Sequence, residues 1–132
     1  YLRFVRDLSS REEITKFEMI NRFIVNPGFK DEGQPIILSE FGGVAFKKDT
    51  GGKAWGYTTS SSEEEYEADL RRIYAAIQKS SCIQGICYTQ LTDVEQEVNG
   101  LMTFDRKFKI DPSLIKEMND SLEVDGYKKE SR

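Results

Sequence analysis

The sequence predicts an α/β fold in which two buried strands run parallel to each other. The run Pro35–Phe41 contains three consecutive large apolar residues, which favours burial on both faces, as in a parallel sheet. A second apolar run covers Ile83–Gln90, and a helical pattern begins near Glu63 between the two. A strand, a helix and a strand in this order form a right-handed parallel crossover. We therefore expect residues 35–41 and 83–90 to be adjacent parallel strands.

Two further helices are predicted near the ends of the chain. Ser10 and Glu13 form a capping box, and the apolar residues that follow predict a helix over residues 10–25. Near the other end, Asp111 caps a helix that has Pro112 at its first position. That helix is predicted to bury Leu114, Ile115, Met118 and Leu122.

The central helix has the clearest start signal. Ser62 and Glu65 form a second capping box, and the helix is predicted over residues 63–80. Its buried stripe consists of Tyr66, Leu70, Ile73 and Ile77. Residues 42–61, which precede it, are rich in Gly, Thr and Ser and predict a long loop. Loops of this length are uncommon in small domains and are often functional.

Composition narrows the classes of partner and chemistry. The chain has 132 residues, enough for one domain, and a net charge of −4 without a basic stripe, which argues against nucleic acid. No apolar run approaches the roughly 20 residues that a membrane span needs. The first residue is Tyr1, so we expect a fragment or a processed chain, and the compartment stays open with the cytoplasm slightly favoured.

The chain contains no histidine and two cysteines. Without histidine, this chain alone supplies no Ser-His-Asp or Cys-His arrangement and no histidine metal site. Acid–base chemistry must then use carboxylates, tyrosine or lysine. The spacing of Cys82 and Cys87 in a strand favours two buried free thiols over a disulfide.

One carboxylate stands where the first strand ends. The stretch "PIILSEFGG" places Glu40 after an apolar run and before two glycines. A carboxylate in this position either pairs with a neighbouring arginine, caps a backbone turn, or serves a site. In parallel sheets, active sites lie beyond the carboxyl ends of the strands. Gln90 and Asp93 lie at, or just past, the end of the second strand.

Three stretches resemble a known family. They are "QPIILSEFGGVAF" (Gln34–Phe46), "WGY" (Trp55–Tyr57) and "GICYTQLTDVEQEVNGLMTFDR" (Gly85–Arg106). Together they resemble the end of the catalytic barrel in glycoside hydrolase family 2, the family of β-galactosidases, β-glucuronidases and β-mannosidases. The resemblance covers about residues 34–110.

The resemblance implies a partial (β/α)8 barrel that consists of the seventh and eighth strands with their helices. Residues 1–132 would then be one fragment, the C-terminal portion of a catalytic domain in a retaining β-glycosidase. Its partners would be a β-linked sugar and the remaining barrel and β-sandwich domains of the parent chain. Neither a cofactor nor a metal ion is expected. The family's acid/base glutamate follows an asparagine, and no Asn–Glu pair exists in this sequence.

The resemblance also assigns candidate site residues. Glu40 matches the nucleophile, and Trp55, Tyr88 and Gln90 are candidates for substrate binding. For Trp55, anchoring of its loop competes with stacking on a sugar, and for Tyr88 a place in the core competes with substrate contact. The acidic series at Asp93, Glu95 and Glu97 favours a solvated or arginine-paired loop over a metal site.

Alternation along the strands predicts which residues face the barrel interior. With Glu40 facing inward, Ile36 and Leu38 also face inward, whereas Ile37 and Ser39 face the helices. On the second strand, an inward Tyr88 places Ile86 and Gln90 inward, and Cys87 and Thr89 toward the helices.

Two other classes of function compete with an enzyme fragment. The chain is alternatively a non-catalytic carbohydrate-binding domain, or a barrel fragment that self-associates into homo-oligomers through exposed strands.

Overall fold

Short elements lead into a pair of longer parallel strands. The computed structural model describes residues 10–19, 22–46 and 58–122. The elements in chain order are α1 (Arg11–Thr15), β1 (Glu18–Met19), β2 (Arg22–Phe23), β3 (Ile36–Gly42), β4 (Val44–Phe46), β5 (Thr58–Ser60), α2 (Glu63–Gln78), β6 (Ile83–Thr89) and α3 (Pro112–Asp120). Strands β3 and β6 pair in parallel, with α2 between them in the chain. The predicted parallel pairing is confirmed.

The predicted helix over residues 10–25 is wrong beyond its first turns. The capping box is present, because Ser10 accepts a hydrogen bond from the Glu13 N–H and Glu13 accepts one from the Ser10 N–H. The helix nevertheless ends at Thr15, and the antiparallel strands β1 and β2 follow. Of the predicted apolar stripe, Ile14 is buried, whereas Ile24 is 58% exposed. A short helix without a packed apolar face gains too little to continue.

The other two helices agree closely with prediction. The side chain of Ser62 accepts a hydrogen bond from the Glu65 N–H, and the predicted stripe of α2 is buried. The Glu65 carboxylate accepts from Ser61 instead of Ser62, so the capping box is not reciprocal, and these bonds lower the pKa of Glu65. Asp111 caps α3 as predicted. Within the described residues, no helix has the length and apolar character that crossing a membrane requires.

Part of the predicted long loop is regular structure. Strand β4 pairs in parallel with β5, and the three residues of β4 are buried. Both strands contact α2. The segment 47–57, which includes the rest of the predicted loop, lies outside the described residues.

The hydrophobic core lies between the helices and one face of the β3–β6 pair. Phe41 is completely buried, and its ring makes edge contacts with Tyr74 of α2 at 5.7 Å and with Tyr88 of β6 at 5.3 Å between ring centroids. The cluster also includes Val44, Phe46, Tyr66, Leu70, Ile73, Ile77, Ile110, Ile115 and Met118.

The predicted facing of several strand residues is wrong. Leu38, Ile86 and Tyr88 pack against the helical core, whereas Ile37 and Cys87 are exposed. The cause in β3 is a bulge. Leu38 pairs with Ile86 and Phe41 pairs with Tyr88, so three residue steps along β3 lie opposite only two along β6. Alternation counted back from Glu40 therefore gives the wrong face before the bulge.

The two thiols are free, as predicted, but they are not both buried. Cys87 is exposed and Cys82 is half-buried.

Gly42 is held where a side chain does not fit. Its φ is +107°, and a Cβ would lie 2.5 Å from Cε2 of Tyr88, whose ring is packed against Phe41. We expect Gly42→Ala to lower the free energy of unfolding by about 1–3 kcal/mol more than a control substitution at another glycine does, because the added Cβ overpacks the core. The control is Gly33→Ala, where φ is +87° and the added Cβ meets no atom within 4 Å. Equal losses in urea denaturation would contradict the packing argument.

Exposed apolar surface predicts self-association of the 132-residue chain. Within the described residues β3 and β6 form a two-stranded sheet, which leaves an outer edge on each strand, and Ile37 is 52% exposed. Open edges beside apolar side chains invite pairing between copies. We expect sedimentation velocity to show association that increases with concentration, and Ile37→Lys to weaken it. A monomer at every concentration would be evidence against this expectation.

Candidate functional site

Glu40 lies in the bulge near the carboxyl end of β3. Its neighbour Phe41 faces the helical core, and successive residues of a strand point to opposite faces. Glu40 is exposed and thus lies on the face of the sheet away from the helices. Bulges often redirect a side chain next to a site. Its exposure follows from the burial of Phe41, and its facing toward a barrel interior stays a prediction.

The Glu40 side chain is exposed to solvent. Among the side chains that the structure describes, none forms a hydrogen bond or ion pair with the Glu40 carboxylate, and the expected alternative of a paired arginine is not seen there. The backbone beyond it is compact, because Gly42 and Gly43 both have positive φ. The Gly43 N–H donates to the Thr89 carbonyl at 3.2 Å, which ties the ends of β3 and β6 together.

Gln90 follows the end of β6 at the same edge of the sheet as Glu40. Its side-chain Nε2 donates to Oδ1 of Asn99 at 2.8 Å and to Oε2 of Glu97 at 3.3 Å. Its main-chain carbonyl accepts from the Leu101 N–H at 3.1 Å. Because both amide hydrogens have acceptors, the amide has a fixed orientation and its Oε1 is left as an acceptor.

Of the other two candidates for substrate binding, the structure describes Tyr88 but not Trp55. Tyr88 lies on the core side of β6, beside Phe41, and its hydroxyl donates to the Asn99 carbonyl at 3.3 Å. These contacts are those of a core aromatic with a satisfied hydroxyl, and a role in substrate binding stays a prediction. Trp55 lies outside the described residues.

The acidic series splits into three different environments. Asp93 is 9% exposed and forms an ion pair with Lys109, whose Nζ lies 2.7 Å from Oδ1 of Asp93. Glu95 is exposed at a positive φ of 52° in a tight turn, and Glu97 contacts Gln90. The expectation of a solvated or arginine-paired loop is therefore wrong for Asp93, whose partner is a buried lysine. No group of three or more potential metal ligands of the His, Cys, Asp or Glu type occurs in the described part of the chain.

Lys109 is the residue that sequence reasoning missed. It is 0% exposed, and its Nζ donates to Asp93 and to the Val98 carbonyl, each at 2.7 Å. The ammonium also lies 5.9 Å from the ring centroid of Tyr66. Burial lowers the pKa of Lys109, and the hydrogen bond to Asp93 opposes this shift. The only sequence signal is its position between the apolar residues Phe108 and Ile110.

Side chains and backbone from several elements hold the Val98–Gly100 turn, by which we mean these three residues. Each of its carbonyls accepts a hydrogen bond from a separate donor. The donors are Lys109 and the Phe46 N–H to Val98, Tyr88 to Asn99, and Tyr66 to Gly100. The Gly100 N–H donates to Asp93 at 2.9 Å, and a Cβ on Gly100 would lie 2.4 Å from the carbonyl carbon of Thr92. The turn therefore has little freedom to move.

A cavity lies elsewhere on β3. It has a volume of about 660 Å³ and is lined by α1, residues 24–39 in part, and Ile83. Its strand residues run from Ile36 to Ser39 and do not include Glu40.

No protein-family model matches the chain, and a search of curated proteins found no match either.

Tyr66 provides a test of the buried contacts below the turn. Burial raises the pKa of Tyr66 to about 12 from 10.0, so the folded state keeps this proton longer than the unfolded state does. Stability must then fall as pH rises from 10 to 12, by about 2 kcal/mol from this group. We expect Tyr66→Phe to cost about 1–3 kcal/mol at pH 8, because the Gly100 carbonyl loses its donor.

Between pH 10 and pH 12 the difference in free energy of unfolding between wild type and Tyr66→Phe should shrink, because only the wild type carries the ionising group. Urea denaturation across this range measures the difference. A deficit that stays constant with pH would refute the role of Tyr66 burial.

Proposed function

We propose that this chain is part of the catalytic (β/α)8 barrel of a retaining β-glycosidase, with Glu40 as its nucleophile. The observation that carries the proposal is the position of Glu40, exposed at the carboxyl end of a parallel strand on the face away from the helices. In parallel α/β folds this end of the strands holds the active site. The resemblance of residues 34–110 to glycoside hydrolase family 2 supports the same assignment, with β3 and β6 as the seventh and eighth strands.

A retaining glycosidase needs two carboxyl groups about 5–5.5 Å apart. One attacks the anomeric carbon and forms a covalent glycosyl-enzyme, and the other protonates the leaving group and then activates water. Glu40 suits the first role because no described residue pairs with its carboxylate. The second carboxyl group must come from a part of the parent that this sequence does not contain, since the Asn–Glu motif is missing.

Gln90, Trp55 and Tyr88 are the residues proposed to hold the sugar. Gln90 lies at the same edge and offers Oε1 as an acceptor for a substrate hydroxyl. Trp55 and Tyr88 remain proposed contacts on the strength of the resemblance alone. The proposal involves no cofactor and no metal ion, because the two carboxyl groups suffice for the chemistry.

A second candidate function is self-association without catalysis. The exposed Ile37 and the two-stranded β3–β6 sheet favour it. The two functions differ in what the parent does, because only the first requires Glu40 for turnover of a β-glycoside.

The decisive variant is Glu40→Gln in the full-length parent. It keeps the size of the side chain but removes the charge that attacks and stabilises the transition state. We expect kcat to fall by several orders of magnitude, on the order of 5 kcal/mol or more of barrier. Steady-state hydrolysis of an aryl β-glycoside measures the loss. Glu95→Gln is the matched control, because Glu95 is exposed in a turn, and it should leave turnover unchanged.

A mechanism-based fluorosugar gives an independent readout of the same assignment. In the wild-type parent it should label the peptide that contains Glu40. The isolated 132-residue chain should remain unlabelled, because it lacks most of the sugar site as well as the acid. Label on Asp93, Glu95 or Glu97, or near-normal turnover of Glu40→Gln, would show that the nucleophile is assigned wrongly.

A further inference from the structure

A buried charge lies behind the Gln90 side of the site and is not used by the chemistry above. Lys109 is 0% exposed, and it precedes α3 by three residues in the chain. A buried ammonium is costly unless it is paired and hydrogen-bonded. Here it has Asp93 and the Val98 carbonyl as acceptors at 2.7 Å each, and the face of Tyr66 nearby. Its surroundings therefore match its charge closely.

The partners of Lys109 all belong to, or contact, the Val98–Gly100 turn. Val98 is a member of the turn, Asp93 accepts from the Gly100 N–H, and Tyr66 donates to the Gly100 carbonyl. The Val98 carbonyl also accepts from the Phe46 N–H at 2.9 Å, which connects the turn to β4. The ion pair thus joins both ends of the turn to the core.

The Val98–Gly100 turn also fixes the amide of Gln90. Asn99 is 3% exposed, and its backbone carbonyl is held by Tyr88. Its side-chain Oδ1 accepts one N–H of Gln90 at 2.8 Å, and Glu97 accepts at 3.3 Å. A shift of the turn would therefore rotate or release the Gln90 amide.

We propose that Lys109, through its ion pair with Asp93, is a positioning residue that holds the Val98–Gly100 turn and thereby orients Gln90 toward the substrate. The inference rests on the proposed function for the substrate, a β-linked sugar, and for the contact of Gln90 with it. We call the ion pair and its hold on the Val98–Gly100 turn the clamp. The clamp is a property of the chain and can be measured without any substrate.

Lys109→Met in the full-length parent tests the kinetic consequence. It keeps most of the side-chain length and removes the charge. Because Gln90 is assigned to binding rather than to bond making, its loss of orientation should raise KM on the order of tenfold with kcat nearly unchanged. A role in folding alone would instead reduce the amount of active enzyme, which lowers Vmax and leaves KM unchanged. That second pattern would overturn the proposal.

Two further variants sharpen the kinetic test. Lys107→Met is the matched control, because Lys107 is exposed, pairs with Asp105 and lies two residues before Lys109 in the chain, and it should leave KM unchanged. Combining Lys109→Met with Gln90→Leu should raise KM no further than Gln90→Leu alone does, because both changes remove the same contact. Additive effects would mean that Lys109 does not act through Gln90.

Hydrogen exchange provides the readout that needs no activity. We expect Lys109→Met to speed exchange on the order of tenfold in the peptides that cover residues 93–102, where the Gly100 N–H is held by Asp93, and to leave α2 unchanged. Unchanged exchange in 93–102, or equal acceleration in α2, would overturn the clamp. The double variant Asp93→Asn, Lys109→Met removes both buried charges and gives the same test if the single variant does not fold.

These readouts separate the two proposals. A parent that hydrolyses no β-glycoside would refute the proposed function, while the exchange result would still decide for or against the clamp.

Discussion

The burial of Phe41 fixes the geometry on which the rest of the candidate site depends. Its ring is enclosed by Tyr74 of α2 and Tyr88 of β6, and it is fully removed from solvent. Burying an aromatic side chain contributes about 1.5–3 kcal/mol, so the strand has a strong reason to keep this face inward. The adjacent Glu40 must then face the other way. The bulge at Ser39 and Glu40 reconciles this requirement with the burial of Leu38 on the same side as Phe41.

The two tyrosines connect the core to the edge of the sheet. Tyr66 and Tyr88 place their rings in the apolar cluster and their hydroxyls against the Gly100 and Asn99 carbonyls. Hydrogen bonds of this kind are strong in surroundings of low polarity, and each unmade bond would leave a buried carbonyl without a donor. The same rings that build the core therefore also restrict the loop that follows β6. A rigid loop gives the Gln90 amide a fixed orientation, which its proposed role in binding requires.

Local signals predicted α2, α3, β3 and β6, where tertiary packing agreed with them, but not β4 and β5. The start of α2 at Ser62, the Asp111 cap and the two parallel strands could all be inferred from residue pattern. The helix predicted over residues 10–25 ends at Thr15, and of the described residues in its apolar series Ile14 is buried whereas Ile24 is exposed. A capping box starts a helix, but only packing extends it.

The candidate site was less predictable than the fold, for two physical reasons. The bulge at Ser39 and Glu40 changes the face of every residue before it, and strict alternation cannot reveal an inserted residue. The clamp depends on Lys109, which is distant in sequence from its partner Asp93 and carries a charge that normally marks the surface. The position of Glu40, in contrast, was predictable because it depends on a strand end and its glycines, both of which are local.

The face of the sheet that carries Glu40 changes in character along the strands. Toward the amino end, Ile37 lies over Gly85, where an added Cβ would come within 2.6 Å of Ile37 Cδ1. Cys87 follows on the same open face, and Glu40 comes last. The interior of a (β/α)8 barrel has this order, with apolar side chains packed in layers and chemistry confined to the carboxyl end. An apolar lower layer requires opposing strands to cover it, and those strands would also have to carry the second carboxyl group. The exposure of Ile37 and the missing acid therefore have one explanation under the proposed function, which is that both are completed by the same part of the parent.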